Sequence, residues 1–278
     1  MTSRRPVAPP AEFDAMAKWY DFDYDRRMRK DLPFYRRCAE EGGNPVLELG
    51  AGTGRVAAHL AKQGFDVTGV EISPAMLELG RARLERLRGA RGRARLVLGD
   101  MADLRVPGRY GTILLSFRSF HHVYETERQL AALDGIRERL KPDGLVVFDL
   151  VNPDLRDILA ADGKLRVSYE RRHPRRGTRV VQRFRIRSDL AQQIARIDYV
   201  WDEYRGRRKV GSDTAPMRWR WFHRFEFEHL LARAGLRPIE IAGDYAGRPF
   251  GPDSEEMIFV AVRDRARYPR GSLVRRRS

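Results

Sequence analysis

The stretch that most constrains this chain is VLELGAGTGRVA, residues 46–57, in which an apolar run leads directly into three glycines. Such a run predicts a buried strand, and RVAAHLAKQG from residue 55 predicts the helix that follows it. Gly50, Gly52 and Gly54 allow unusual backbone angles and let a ligand lie against the main chain. In an open α/β sheet, ligands bind beyond the carboxyl ends of the strands, so this loop is predicted to hold one.

The rest of the chain alternates between strand and helix patterns, which indicates βαβ units around a parallel sheet. The predicted strands of this part are 45–49, 65–70, 94–100, 110–117 and 144–151. Helices are predicted at 55–64, from Ser73-Pro74 onward and at 126–140, with one or two more within 13–40.

After Pro153 the apolar residues alternate with a period of two, which is typical of antiparallel strands covered on one side. These segments are 165–169, 180–186, 195–201 and 217–223, and they precede a helix at 225–236 and strands at 237–243 and 255–262. The predicted fold is therefore α/β: a Rossmann-like, seven-stranded, mostly parallel sheet with an antiparallel β insertion after strand 5.

This pattern divides the chain into five parts. We expect an N-terminal tail and helical cap, an α/β core, an insertion that acts as a lid, a segment that completes the core sheet, and a basic tail. Their predicted bounds are 1–40, 41–154, 155–222, 223–264 and 265–278.

Composition bounds the class of protein. One cysteine, Cys38, excludes an intrachain disulfide, and no apolar run is long enough for a membrane span. The N-terminus lacks the apolar region of a secretory signal, so we expect a cytoplasmic protein without membrane contact. The net charge of +16 favours anionic partners, although basic clusters are more often solvated surface than nucleic-acid sites.

The acids at the next strand ends indicate the ligand. The loop reads G-x-G-x-G rather than the G-x-G-x-x-G of dinucleotide sites, and the Gly-Lys-Ser/Thr ending of phosphate loops is absent. Glu71 ends the second strand, where a carboxylate accepts hydrogen bonds from ribose hydroxyls. Asp100 ends the third strand, where a carboxylate can accept from an adenine amine. Together the two acids indicate a ligand that contains an adenosine group and does not require a phosphate.

Four segments, ELGAGTGRVA, VEISPAML, GDMADL and ILLSFRSFHHV, resemble the class I S-adenosylmethionine-dependent methyltransferases. The resemblance implies S-adenosylmethionine as cofactor, bound by residues at the strand ends. Those implied to flank its methionine part are Tyr20, Glu48, Gly50, Ala51, Gly52 and Gly54, with Arg55 at the loop–helix junction. Those implied to contact the nucleoside are Glu71, Ile72, Met76, Asp100 and Met101, and Ser116 and Phe117 are implied to lie under the methyl group.

In this chemistry the enzyme aligns a nucleophile with an electrophilic methyl group, and a base is needed only if the nucleophile must lose a proton. His121 and His122, directly after the fourth strand, are the candidate bases, and only one of two adjacent residues is expected to face the cleft. No metal site is expected. Asp149 and Asn152 are the nearest candidates for metal ligands.

The antiparallel insertion resembles that of sugar N-methyltransferases, in which it roofs the acceptor pocket. Its aromatic residues are either acceptor contacts or the insertion's own core. Together with the loop at 243–257, this gives the candidate acceptor contacts Arg118, Tyr199, Trp201, Trp219, Trp221, His223, Asp244 and Tyr245.

Three hypotheses follow from the sequence. The leading one is a methyltransferase that acts on an N or O nucleophile of a small molecule, in specialised metabolism. The alternatives are a methyltransferase for RNA or another polyanion, motivated by the charge, and a non-catalytic binding module. The sequence leaves open the acceptor, the choice between N and O, and whether the protein forms a homodimer.

Overall fold

The computed structural model describes residues 11–24, 30–266 and 273, arranged around two β-sheets. The larger sheet has seven strands and the smaller has four. The predicted fold class is confirmed. The predicted tail residues 1–10 and most of 267–278, together with residues 25–29, lie outside the described residues.

The larger sheet is parallel except at one edge. Its strands are β1 Val46–Leu49, β2 Val67–Glu71, β3 Ala94–Leu98, β4 Tyr110–Leu115, β5 Leu140–Val151, β10 Leu236–Ala242 and β11 Glu256–Arg263. They lie in the order β10-β11-β5-β4-β1-β2-β3. β11 is antiparallel to both β5 and β10, and the other neighbours run in the same direction.

Helices cover both faces of this sheet, which explains why β1, β2 and β4 are buried along their whole length and are largely apolar in sequence. The helices are α1 Ala11–Tyr24, α2 Leu32–Gly42, α3 Arg55–Lys62, α4 Pro74–Glu85, α5 Thr126–Arg139, α6 Leu155–Leu159 and α7 Arg224–Arg233. The predicted start of α4 is confirmed, since the Ser73 side chain accepts a hydrogen bond from the Met76 N–H and Pro74 occupies the first turn.

The insertion forms a separate antiparallel sheet of longer strands than the sequence predicted. They are β6 Arg166–Arg172, β7 Arg179–Asp189, β8 Ile194–Arg205 and β9 Arg208–Arg220. The first half of β9 was missed because RKVGSDTAP is polar on both faces and gives no period-two signal. The prediction that this last strand continues to residue 223 is wrong. The chain leaves the sheet after Arg220, and His223 is the N-cap of α7.

Helix α1 connects the two sheets. On the core side, the Asp14 carboxylate accepts from the Ser73 hydroxyl and the Ala75 N–H. On the insertion side, the Trp19 ring stacks on that of Trp201 at 6.0 Å, and the Glu12 carboxylate pairs with the Arg218 guanidinium at 2.7 Å. The helix therefore forms a wall between the carboxyl end of the large sheet and the inner face of the small one.

A buried carboxylate near the end of α1 binds this helix to the insertion sheet. Asp23 is 4% exposed and accepts hydrogen bonds from the Tyr169 hydroxyl and, at 3.1 Å, from the Trp201 indole N–H. The Arg171 guanidinium lies 3.5 Å from the same carboxylate. No described helix is both long and apolar enough to cross a membrane.

Replacement of Asp23 by alanine is expected to lower the free energy of unfolding by about 3 kcal/mol, because it leaves an indole N–H and a phenol buried without their acceptor. Urea denaturation followed by tryptophan fluorescence measures it. The matched control is Asp198→Ala on β8, whose partly exposed ion pair with Arg185 contributes below about 1 kcal/mol. Equal losses in the two variants would contradict this role for Asp23.

Candidate active site

The glycine loop at the end of β1 adopts the left-handed backbone that its glycines allow. Gly50, Gly52 and Gly54 have φ values of 73°, 54° and 70°. A Cβ on Gly54 would lie 3.1 Å from the Leu96 side chain and 3.6 Å from the Gly80 backbone, so this glycine permits close packing at the start of α3. A Cβ on Gly52 would instead project toward the Tyr20 ring, 4.0 Å away. Gly52 is therefore the position at which the loop keeps space open.

A cavity of about 260 Å³ lies between this loop, α1 and the inner face of the insertion sheet. Of the predicted cofactor contacts, only Gly54 does not line it. Those that do are Tyr20, Glu48, Gly50, Ala51, Gly52, Arg55, Glu71, Ile72, Met76, Asp100, Met101, Ser116 and Phe117.

The carboxylate of Glu71 joins two strand ends. Its Oε2 accepts from the Gly52 N–H at 2.7 Å, and its Oε1 accepts from the Ser73 N–H at 2.8 Å. Burial raises the pKa of Glu71, and the two backbone donors oppose that rise. A carboxylate oxygen has more than one lone pair, so the Glu71 carboxylate can also accept a hydrogen bond from a hydroxyl.

Asp100 lies at the other end of the cavity. Its Oδ1 accepts from the Ala102 N–H at 2.8 Å, and its Oδ2 pairs with the Arg128 guanidinium at 2.5 Å. Arg128, on α5, also lines the cavity. This arginine could not be identified from a sequence pattern, because it lies on a helix beyond the fourth strand.

Glu48, in the middle of β1, is a buried acid beside the loop. Its Oε1 accepts from the Ser116 hydroxyl at 2.7 Å, whereas its Oε2 has no hydrogen-bond partner in the described part of the chain. Burial raises the pKa of Glu48 to about 7, and the Ser116 hydrogen bond and the nearby Arg55 guanidinium oppose that rise. A buried carboxylate oxygen of this kind is suited to a cationic partner.

The turn after β4 carries two consecutive non-glycine residues with positive φ, Phe117 at 48° and Arg118 at 66°. Such angles are sterically costly for residues with a Cβ and persist only where the surroundings hold them. Here the Phe117 N–H donates to the Asp149 carboxylate at 2.9 Å, and Tyr35 and Tyr245 donate their hydroxyls to the same oxygen at 2.5 and 2.9 Å. Asp149 therefore holds the turn that places the Phe117 ring against the cavity.

The two candidate histidines have different environments. His121 is fully buried away from the cavity. Its Nδ1–H donates to the Arg220 carbonyl at 2.6 Å, and its Nε2 accepts from the Val151 N–H at 3.1 Å. With both ring nitrogens in use and its pKa lowered to about 3 by burial, it does not fit the predicted role of a base.

His122 does line the cavity. Burial lowers the pKa of this imidazole to about 4, and one ring nitrogen interacts with the Arg218 carbonyl. The other, Nδ1, is buried without a partner among the described residues. The ring packs edge-on against Phe13, with the two ring centroids 4.7 Å apart. Because its pKa is lowered and its Nδ1 has no donor in the part of the chain that the structure describes, His122 is a neutral imidazole with one lone pair available.

Of the predicted acceptor contacts, the structure brings Arg118, Tyr199 and Trp219 to the cavity. Tyr24, at the end of α1, and Ile197 and Met217, on the insertion strands, join them there. The two strand residues were missed because a period-two pattern does not show which residues α1 leaves uncovered. The Arg118 guanidinium pairs with Glu256 at 2.9 Å.

The other predicted acceptor contacts lie elsewhere. Trp201 is buried under α1, and Trp221 is buried in the segment before α7. His223 caps α7 at the surface, Asp244 pairs with Arg248, and the Tyr245 hydroxyl supports Asp149. Local packing takes these five side chains out of the cavity.

Comparison with known proteins agrees with the fold described above and with the family that the sequence motifs resemble. Residues 46–144 match the family model described as "Methyltransferase domain". The cypemycin N-terminal methyltransferase of a Streptomyces species is 31% identical and covers 80% of this chain and 84% of its own length. The dTDP-3-amino-3,4,6-trideoxy-alpha-D-glucopyranose N,N-dimethyltransferase of Streptomyces venezuelae is 31% identical, covering 78% of this chain and 86% of its own.

Among solved structures, the CcbJ methyltransferase from Streptomyces caelestis superposes with a TM-score of 0.79 at 26% identity, over 91% of this chain and 98% of that one. The same family is indicated by the glycine loop, by the acids at successive strand ends and by these relatives. The chain belongs to the class I S-adenosylmethionine-dependent methyltransferases.

Proposed function

We propose that this protein transfers a methyl group to an amine nitrogen of a small molecule. The observation that carries the proposal is the state of the two histidines. His121 has both ring nitrogens engaged, and burial lowers the pKa of His122 to about 4. An alcohol must lose a proton to become a strong nucleophile, which requires a competent base. An amine in its neutral form already carries a reactive lone pair, so it fits a cavity whose imidazole is a weak base.

The cavity fits the cofactor. S-adenosylmethionine supplies an electrophilic methyl group on a sulfonium. In this proposal Glu48 Oε2 accepts from the ammonium of the methionine part, which gives that buried oxygen a partner. Glu71 accepts from the ribose hydroxyls, and Asp100 accepts from the adenine amine.

The acceptor then lies between Phe117, Tyr199 and Trp219, in front of His122. His122 Nδ1 accepts a hydrogen bond from the acceptor N–H and thereby directs the nitrogen lone pair toward the methyl group. The aromatic walls favour positive charge close to their faces, and the methylated amine carries such a charge. Alignment of this kind supplies much of the acceleration of a bimolecular reaction.

The names of the two relatives support an amine acceptor, since they specify N-terminal methylation in one case and N,N-dimethylation of an amino sugar in the other. A polyanionic acceptor has less support. The three arginines that line the cavity, Arg55, Arg118 and Arg128, are each paired with a carboxylate, on Asp31, Glu256 and Asp100 respectively.

Matched pairs of amines and alcohols test the proposal. Methyl 3-amino-3-deoxyglucopyranoside is compared with methyl glucopyranoside, and an alanyl peptide is compared with its lactyl counterpart. With tritiated S-adenosylmethionine, we expect methyl transfer to an amine and none to its hydroxyl partner. Transfer to a hydroxyl member at a comparable rate, or transfer to neither amine, would contradict the proposal.

A His122→Phe variant separates hydrogen bonding from base catalysis while keeping a ring against Phe13. Because the low pKa keeps His122 neutral above about pH 5, kcat/KM should rise about tenfold per pH unit with deprotonation of the acceptor amine alone. The variant should lose about tenfold in kcat/KM at every pH and keep the same profile. An inflection at about pH 6–7 that disappears in the variant would instead identify His122 as a general base.

A further inference from the structure

A second cavity lies on the inner face of the insertion sheet, with a volume of about 200 Å³. It shares Tyr24, Ile197 and Tyr199 with the cavity described above, so the two are neighbouring compartments. We call it the insertion groove. Its lining residues are Asp23, Tyr24, Ser168, Tyr169, Gln182, Phe184, Ile186, Ile197 and Tyr199.

The floor of the groove is apolar because two cross-strand pairs lie side by side. Phe184 on β7 is opposite Tyr199 on β8, and Ile186 is opposite Ile197. Directly opposed pairs of this kind have side chains in contact on one face of a sheet. All four are only half-buried, whereas α1 covers the neighbouring inward residue Trp201 completely. The sheet therefore leaves an aromatic and aliphatic surface uncovered next to the site of methyl transfer.

The groove also contains one polar group without a partner. Gln182 is 4% exposed, and its Oε1 has no hydrogen-bond partner among the described residues. A buried carbonyl oxygen of this kind is costly unless a donor reaches it. The Asp23 carboxylate, by contrast, already accepts from Tyr169 and Trp201.

Most charges of this part of the sheet lie outside the groove. Arg171 on β6 adjoins it, but its guanidinium is paired with the Asp23 carboxylate at 3.5 Å. Arg183 and Arg185 alternate with the groove residues along β7 and pair with Asp202 and Asp198. Within the described part of the chain, no arginine or lysine lines the groove. A pyrophosphate bridge is normally recognised by such cations or by backbone amides at a helix N-terminus.

We infer that the acceptor is a two-part molecule whose amine-bearing group occupies the first cavity and whose uncharged, apolar or aromatic scaffold lies in the insertion groove. This inference rests on the proposed function. The scaffold packs on the Phe184–Tyr199 and Ile186–Ile197 pairs and donates one hydrogen bond to Gln182. A sugar still attached to a nucleoside diphosphate does not match this surface, so the enzyme acts on the amine after it has been joined to its scaffold.

The test compares two glycosides of 3-amino-3-deoxyglucose that carry the same amine, the methyl glycoside and the 3-phenylpropyl glycoside. Binding of each to the complex with S-adenosylhomocysteine is measured by calorimetry, which requires no turnover. The phenylpropyl glycoside should bind about tenfold or more tightly, since it buries a phenyl ring on the groove. The thymidine-diphosphate-linked amino sugar should bind no more tightly than the methyl glycoside.

Substitutions in the groove test whether the additional affinity for the phenylpropyl glycoside arises there. Phe184→Ala and, separately, Ile186→Ala should each reduce binding of the phenylpropyl glycoside by about fivefold or more and leave that of the methyl glycoside unchanged. Arg185→Ala, on the opposite face of β7, is the control and should change neither. Equal affinities for the two glycosides, no measurable binding of the phenylpropyl glycoside, or tighter binding of the nucleotide-linked sugar would overturn the inference. Binding of S-adenosylhomocysteine is measured in the same samples, and its loss would count against the proposed function instead.

Discussion

The hydrogen bond from the Gly52 N–H to the Glu71 carboxylate is the contact on which the arrangement of the site depends. It joins the ends of two neighbouring parallel strands, β1 and β2, and fixes a loop whose left-handed backbone only glycine adopts at low cost. Because that loop carries no side chain at Gly52, main chain forms the floor of the cavity. The acid that fixes the floor is also the acid proposed to hold the ribose, so cofactor binding and loop geometry are coupled through one side chain.

The opposite side of the cavity is built from parts that are distant in the sequence. Helix α1 brings Tyr20 over the glycine loop, and Asp23 ties the same helix to the insertion sheet. Asp149, on β5, holds the strained turn at Phe117 and Arg118, and burial together with the nearby Glu256 carboxylate raises its pKa to about 7. The acceptor site is therefore a composite of α1, the insertion and the β4 turn around one fixed cofactor loop.

The cofactor side of the site could be predicted from the sequence because its residues lie at successive strand ends. Glycine spacing, Glu71 and Asp100 carry local signals, and the fold places them together without further information. The acceptor side could not be predicted in the same way. Period-two alternation does not show that α1 covers Trp201 and leaves Tyr199 uncovered. Nor does adjacency show that the short helical turn Ser119–His122 directs His122 to the cavity and His121 to the Arg220 carbonyl.

An adenosyl ligand that lies on the bare backbone at Gly52 leaves no space there for a side chain, and calorimetry of S-adenosylhomocysteine binding to Gly52→Val measures this. Gly206→Val is the control, since Gly206 has a similar φ of 60° but no atoms close to its Cβ position. We expect a loss of affinity of about a hundredfold or more in the first variant, because the side chain fills the space under Tyr20, and no change in the second. Unchanged binding by a folded Gly52→Val protein would contradict this placement of the ligand.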